Sequence, residues 1–325
     1  MQNKPLAIQA AALMAVAVVP MLSQDSRSQH LTSPADRHKT YRLSTRYAVG
    51  DLLNYKTQMS MTLAMSDARG SPLFTRTITM KCTTRMKTVG LQQDGSAVIA
   101  VRAERGEIYI PGNVIPTLGD TIRTPDLRAT MMVVDPRGVG KLRVGERNAG
   151  VPQPFTQMFD MNQMPPLGAV LPYNPVDIGD TWETDLPMPL GGRMKVSSRL
   201  LGIGKIGGGE TLEIKQVVTM PFEIKLGPDL YRAHSGTNVV AVARGSGVVD
   251  GVLTILKANA RLVKMVADVK GDIALEVTRD AAPEFRVFNT TKMRLTGKMF
   301  VHLTSASKVP LPINHRRNHR LPKRH

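Results

Sequence analysis

The chain of 325 residues contains one cysteine, Cys82, and that scarcity removes two structural devices at once. No intramolecular disulfide can form, and a zinc site built on several thiolates is excluded. Cys82 falls on the apolar parity of an alternating segment, which reads as a buried, inert thiol. Aromatic residues make up only 4% of the chain, with one tryptophan, so the core has to be built from Val, Leu, Ile and Met. The signatures of common chemistry are missing as well. The Gly-rich stretch GIGKIGGGE (202–210) is not followed by Lys-Ser/Thr, so it reads as a hairpin turn rather than a phosphate loop. There is no Gly-x-Ser-x-Gly elbow, and no nucleophile can be joined to a base with an orienting partner. A non-enzymatic protein without a cofactor is the expectation.

What the chain does have is alternation. From Leu53 to Met65 the odd positions are Leu, Tyr, Thr, Met, Met, Leu and Met, and the even ones are mostly polar. After the turn residues SDARGSP, the segment Phe74–Lys87 alternates again, with Ile78, Met80, Cys82 and Met86 on the apolar parity. Period two over such lengths predicts half-buried strands, and one dry face with one wet face predicts antiparallel pairing. The pattern recurs in AVIAVRAE, ATMMVVD, RMKVSSRLLGIGK, TLEIKQVVTM and the segment through Met293–Leu303. Asp250-Gly251 predicts a tight turn, and VLTILKANARLVKMVADVK after it reads as one long strand by its β-branched content, an amphipathic helix being the alternative. The 27 glycines and 22 prolines suit many short turns.

The motif Gly-Asp after an apolar residue appears at Gly50-Asp51 and again at Gly179-Asp180, each before a long strand-rich stretch. Two β-rich halves, each opened by the same turn, are the economical reading. The expected organisation is therefore a signal peptide or uncleaved anchor at 1–23 and a flexible linker at 24–44. A first β-rich half follows at 45–150, then a Pro-rich linker with a short helix at 151–175. A second β-rich half covers 176–307, and a basic, disordered tail covers 308–325. The fold class is mainly β: curved antiparallel sheets in two halves joined by a short helix.

Ala10–Leu22 carries no charge over thirteen residues, after Lys4. That is short of the about twenty residues a membrane-spanning helix needs and fits the apolar region of an export signal. Export to the cell envelope or beyond is the expected location. The net charge is +17, of which residues 308–325 supply +6 and residues 1–46 a further +4, leaving +7 for the rest. The tail residues Arg316, Arg317, Arg320, Lys323 and Arg324 are candidates for an anionic envelope surface or lipid. They lack the interleaved aromatics of a nucleic-acid binder, and no specific nucleic acid is expected.

Three further features bear on function. The chain has 19 methionines, many on strand interiors, which suits an adaptable apolar face for a lipid or other apolar ligand. Met158, Met161 and Met164 recur at a spacing of three, as a soft-metal site for Cu(I) would on a helix. Asp177, Asp180, Glu183 and Asp185 crowd around Trp182, and an extracytoplasmic hydrolase using these acids is the enzymatic alternative.

The opening Tyr47-x-Val49-Gly50-Asp51, the mid-chain Pro175-Val-x-Ile-Gly-Asp-Thr-Trp182 and Gly245-Ser246-Gly247 together resemble uncharacterised secreted β-rich bacterial proteins of about this length. The resemblance implies curved antiparallel sheets. It brings no known activity and no catalytic residue, and the present chain lacks a cysteine for lipid attachment after its apolar N-terminal run.

Overall fold

A computed structural model describes residues 40–104, 106–109, 111, 121–124, 129–142, 168–187, 193–226, 241–277 and 291–308. The described residues are mainly β and contain no helix. Thirteen strands form one sheet: β1 Asp51–Ser66, β2 Pro72–Leu91, β3 Ala97–Ala103, β4 Gly106–Tyr109, β5 Thr121–Thr124, β6 Thr130–Val134, β7 Gly140–Leu142, β8 Thr181–Pro187, β9 Arg193–Ile206, β10 Gly209–Leu226, β11 Ala241–Leu256, β12 Leu262–Val277 and β13 Thr291–Lys308. The main path runs β7-β6-β3-β2-β1-β13-β12-β11-β10-β9-β8, and β4 and β5 attach beside β2. Each pairing within it is antiparallel.

The expected hairpin is β1–β2, with Met59 opposite Met80 and Met61 opposite Ile78. The strands of the two sequence halves belong to one sheet, because β1 pairs with β13 along its whole length. The expected turn at Asp250-Gly251 is a correction: both residues lie inside β11, and the chain reverses at 257–261 instead. Gly251 is there because a Cβ would stand 2.3 Å from the Ala267 Cβ on the neighbouring strand. Gly297 is similar, since its Cβ would meet the Ser60 carbonyl at 2.5 Å. These glycines allow close approach on a bent sheet, a use of glycine that local sequence does not distinguish from a turn.

Most of the irregularity lies at one end of the sheet, with one further register shift, between Met65 and Ser66, at the other. Register shifts of one residue occur between Asn54 and Tyr55, Thr88 and Gly90, Glu213 and Ile214, and Thr254 and Ile255, all toward the end where β1 begins. Each extra residue increases local twist and bends its strand. At the same end, Tyr41 bridges to Val176, and the stretches around them line the inside of the curve. Tyr41 and Leu43, from the expected flexible linker, are core residues, as are Ala169, Val170 and Leu171 from the expected Pro-rich linker. The short helix expected within 151–175, with Met158, Met161 and Met164, lies outside the described residues, as do the segment 1–23 and the basic tail residues Arg316, Arg317, Arg320, Lys323 and Arg324.

Candidate functional site

Alternation gives the sheet an inner and an outer face. On the inner parity, β1 from Leu53 to Met65, β13 from Thr291 to Val301, β12 from Met265 to Leu275, β11 from Gly245 to Ile255 and β10 from Leu212 to Met220 carry no charged side chain. Along β1 this strip is about 40 Å long at the strand rise of ~3.3 Å per residue. Met59, Met61, Leu63, Met65, Met293, Leu295 and Met299 on it are buried.

One end of the strip is walled. The Thr45 amide donates to the Pro136 carbonyl at 2.7 Å, and the Leu171 amide to the Arg137 carbonyl at 2.9 Å. Arg137, in the turn between β6 and β7, sends Nε to the Leu171 carbonyl at 3.0 Å and Nη2 to Thr184 Oγ1 on β8 at 2.8 Å. Its guanidinium also stacks 3.6 Å above the Tyr173 ring. Trp182 Nε1 donates to the Val170 carbonyl at 2.7 Å, and the Val170 amide to Gln216 Oε1 at 3.0 Å. Residues 168–173 thus tie the region of one sheet edge, at β7, to the other, at β8. Gly138 permits the seam, for a Cβ there would sit 2.6 Å from the Ala169 carbonyl oxygen. Inside this end a cavity of about 30 Å³ remains among Tyr47, Tyr55, Met86 and Met132. That is room for about two waters at most, so this end is packed rather than hollow.

A second anchor comes from Arg261 in the turn between β11 and β12. Its Nε donates to the Arg46 carbonyl at 3.1 Å, and its Nη2 pairs with the Asp51 carboxylate. The two side chains are only 15% and 9% exposed. Tyr47 lies near the same guanidinium, and burial pushes its phenol up to about 12. Tyr55 is displaced upward too, by burial first, and donates to the Leu262 carbonyl at 3.2 Å.

Three of the four acids singled out in the sequence make local contacts through their carboxylates, while Asp177 Oδ1 is buried without a hydrogen-bond partner among the described residues. Asp180 Oδ2 accepts the Asp177 amide at 2.8 Å, closing a turn. Glu183 pairs with Lys195 at 2.9 Å and Asp185 with Arg193 at 3.6 Å, on the exposed margin of β8 and β9. Trp182 packs against the core. Cys82 is half-buried, and burial raises its thiol above the ordinary value, with a Thr57 hydrogen bond opposing. No group of three or more His, Cys, Asp or Glu that could hold a metal occurs among the described residues. Sequence reasoning missed Arg137, Gln216 and Arg261, because the partners described above lie between 34 and 215 positions away and no local spacing announces them.

No family model matches the chain, and no curated protein matches it either. Among solved structures, the chain is similar to lipovitellin, in a structure concerned with lipid–protein interactions. That likeness has 7% identity and a TM-score of 0.43, and covers 82% of this chain but 26% of lipovitellin. The chain thus spans about a quarter of that protein's length. A DUF1329 family protein from Desulfovibrio piger matches with 11% identity and a TM-score of 0.14, over 77% of this chain and 85% of that one.

Proposed function

We propose that the protein is a non-enzymatic component of the cell envelope that holds an apolar or acyl-bearing ligand on the inner face of its sheet. The observation that carries this reading is the uncharged inner strip shared by five neighbouring strands, of which the 40–48 and 168–173 stretches line one end. Methionine is used heavily along it, at Met59, Met61, Met65, Met265, Met293 and Met299. Unbranched, polarizable thioethers adapt to ligands of variable shape. The engagement of Asp180, Glu183 and Asp185 in a turn and edge ion pairs favours this reading over a hydrolase.

Native mass spectrometry and solvent extraction of the purified full chain test the proposal. The expected result is a copurifying acyl species, or binding of a fluorescent fatty acid that competes with unlabelled fatty acid. A ligand-free protein that binds no fatty acid would sink it. Export is part of the same proposal and rests on the apolar Ala10–Leu22 run. Alkaline phosphatase fused after Thr45 should be active in a bacterial host, and an inactive cytoplasmic fusion would refute export. The basic residues Arg316, Arg317, Arg320, Lys323 and Arg324 would then face anionic envelope lipids, an attraction that added salt should weaken.

A further inference from the structure

On the outer face, charges are mostly laid out in pairs. Lys298 meets Asp268, Arg294 meets Asp272, Lys215 meets Asp250, and Arg244 lies between Glu223 and Glu276. One row is composed of basic residues. Lys56 of β1, His302 of β13 and Lys264 of β12 are directly opposite one another on three adjacent strands. Lys56 beside the His302 imidazole disfavours its charged form.

The row borders a groove of about 450 Å³ lined by Lys56, Gln58, Lys81, Thr83, Glu107 and His302, among others. Neither Lys56 nor Lys81 has an ion-pair partner among the described residues, although Glu107 stands in register with Lys81. His302 Nδ1 is buried without a hydrogen-bond partner. Its ring meets Phe300 edge-on at 5.8 Å, and the Lys264 ammonium lies 5.9 Å from the Phe300 ring, so the imidazole is held in place. We propose that this groove binds a phosphate-bearing group, with Lys56 and Lys81 supplying charge and His302 a hydrogen bond. Most of the groove's lining belongs to the face opposite the apolar strip, with Thr57 and Cys82 of the inner parity also on it, and the proposal stands independently of that reading.

The groups facing His302 are Lys56 from β1, Lys81 from β2, Glu107 from β4, Lys264 from β12, and Phe300 and Thr304 on its own strand. In the free protein, burial first and then the Lys56 charge hold the imidazole below its ordinary value. A bound phosphate would oppose both lysines and favour the imidazolium, which can donate from both ring nitrogens. Binding would therefore take up a proton.

The test follows the His302 ring by NMR in the full chain, with its signal assigned by loss in His302→Gln. The five basic tail residues are replaced by Gln so that the groove is read alone. Inorganic phosphate is titrated at low ionic strength, beside vesicles of phosphatidylcholine with and without equimolar phosphatidylglycerol. The expected result is a saturable rise of the His302 titration midpoint, weakened about fivefold by either Lys56→Gln or Lys81→Gln and restored by Lys56→Arg. A rise with inorganic phosphate assigns the groove to soluble phosphates. A rise only with the phosphatidylglycerol vesicles assigns it to a lipid headgroup. If neither probe moves the His302 midpoint, or the rise survives in the Lys56→Gln/Lys81→Gln double variant, the proposal is overturned. Both lysines are exposed, and an unchanged Tm confirms that the variants fold.

Discussion

The two Gly-Asp turns make the same hydrogen bonds in opposite surroundings. In the first, the Asp51 amide donates to the Ala48 carbonyl at 3.0 Å, Asp51 Oδ2 accepts the Ala48 amide at 2.5 Å, and Gly50 takes φ 89°. In the second, the Asp180 amide donates to Asp177 at 3.1 Å, Asp180 Oδ2 accepts the Asp177 amide at 2.8 Å, and Gly179 takes φ 100°. Even the glycine amides correspond: Gly50 donates to Thr88 on β2 and Gly179 to Leu200 on β9, each on the partner of the strand that follows. Asp51, however, is buried and paired with Arg261, whereas Asp180 is exposed. The local motif is thus a turn in both places, and only its position in the sheet turns one copy into a tertiary anchor.

Asp51→Ala should separate the two most. It opens the turn and also leaves Arg261 with an uncompensated charge, so a loss of about 3 kcal/mol or more is expected in denaturant melts. Asp180→Ala removes only a solvent-exposed turn bond and should cost about 1 kcal/mol. Equal losses from the two would mean that the Arg261 pair contributes nothing.

Alkaline pH sharpens the same contrast without a mutation. Burial disfavours the phenolate, so the folded chain holds the Tyr47 proton more tightly than the unfolded chain does. The contribution is intact below about pH 10 and is lost as pH rises toward 12, at up to about 1.4 kcal/mol per pH unit for each such tyrosine. Absorbance titration should show Tyr47 and Tyr55 ionising after the exposed tyrosines, with stability falling over the same window. Tyrosines that all ionise near 10 while the fold persists would contradict the packed environment of the first turn.

The glycines should behave alike where the aspartates do not. Gly50→Ala and Gly179→Ala both force a side chain into the left-handed region, at about 1–2 kcal/mol each. A marked inequality in their melting points would show that the turns are not equivalent. The smallest effect should come from Ala260→Gly, in the turn that carries Arg261. Ala260 has φ 51° and a buried methyl, so glycine relieves strain but adds unfolded-chain freedom and loses that burial, and the net change should stay within about 1 kcal/mol.

Much of the sheet was legible because period-two alternation is a local consequence of strand geometry. Leu53–Met65 and Phe74–Met86 announced a hairpin and its dry face without any long-range information. Asp250-Gly251 misled for an equally local reason, since glycine suits both a tight turn and a close strand contact, and only Ala267 on the next strand decides between them. The end of the expected flexible linker, at Tyr41 and Leu43, was misread because polar, aperiodic flanks hide two residues that a curved sheet can enclose.

The sequence by itself determined the strands, which side of each is apolar, and the two Gly-Asp turns, since these depend on neighbours within a few residues. The tertiary structure alone decided that both halves share one sheet, through β1 against β13, residues at opposite ends of the described chain. It also decided that Asp51 meets Arg261 across 210 positions and that Lys56 stands beside His302. Such contacts follow from strand order and register in the folded sheet, and no periodicity within a strand encodes which other strand will lie next to it.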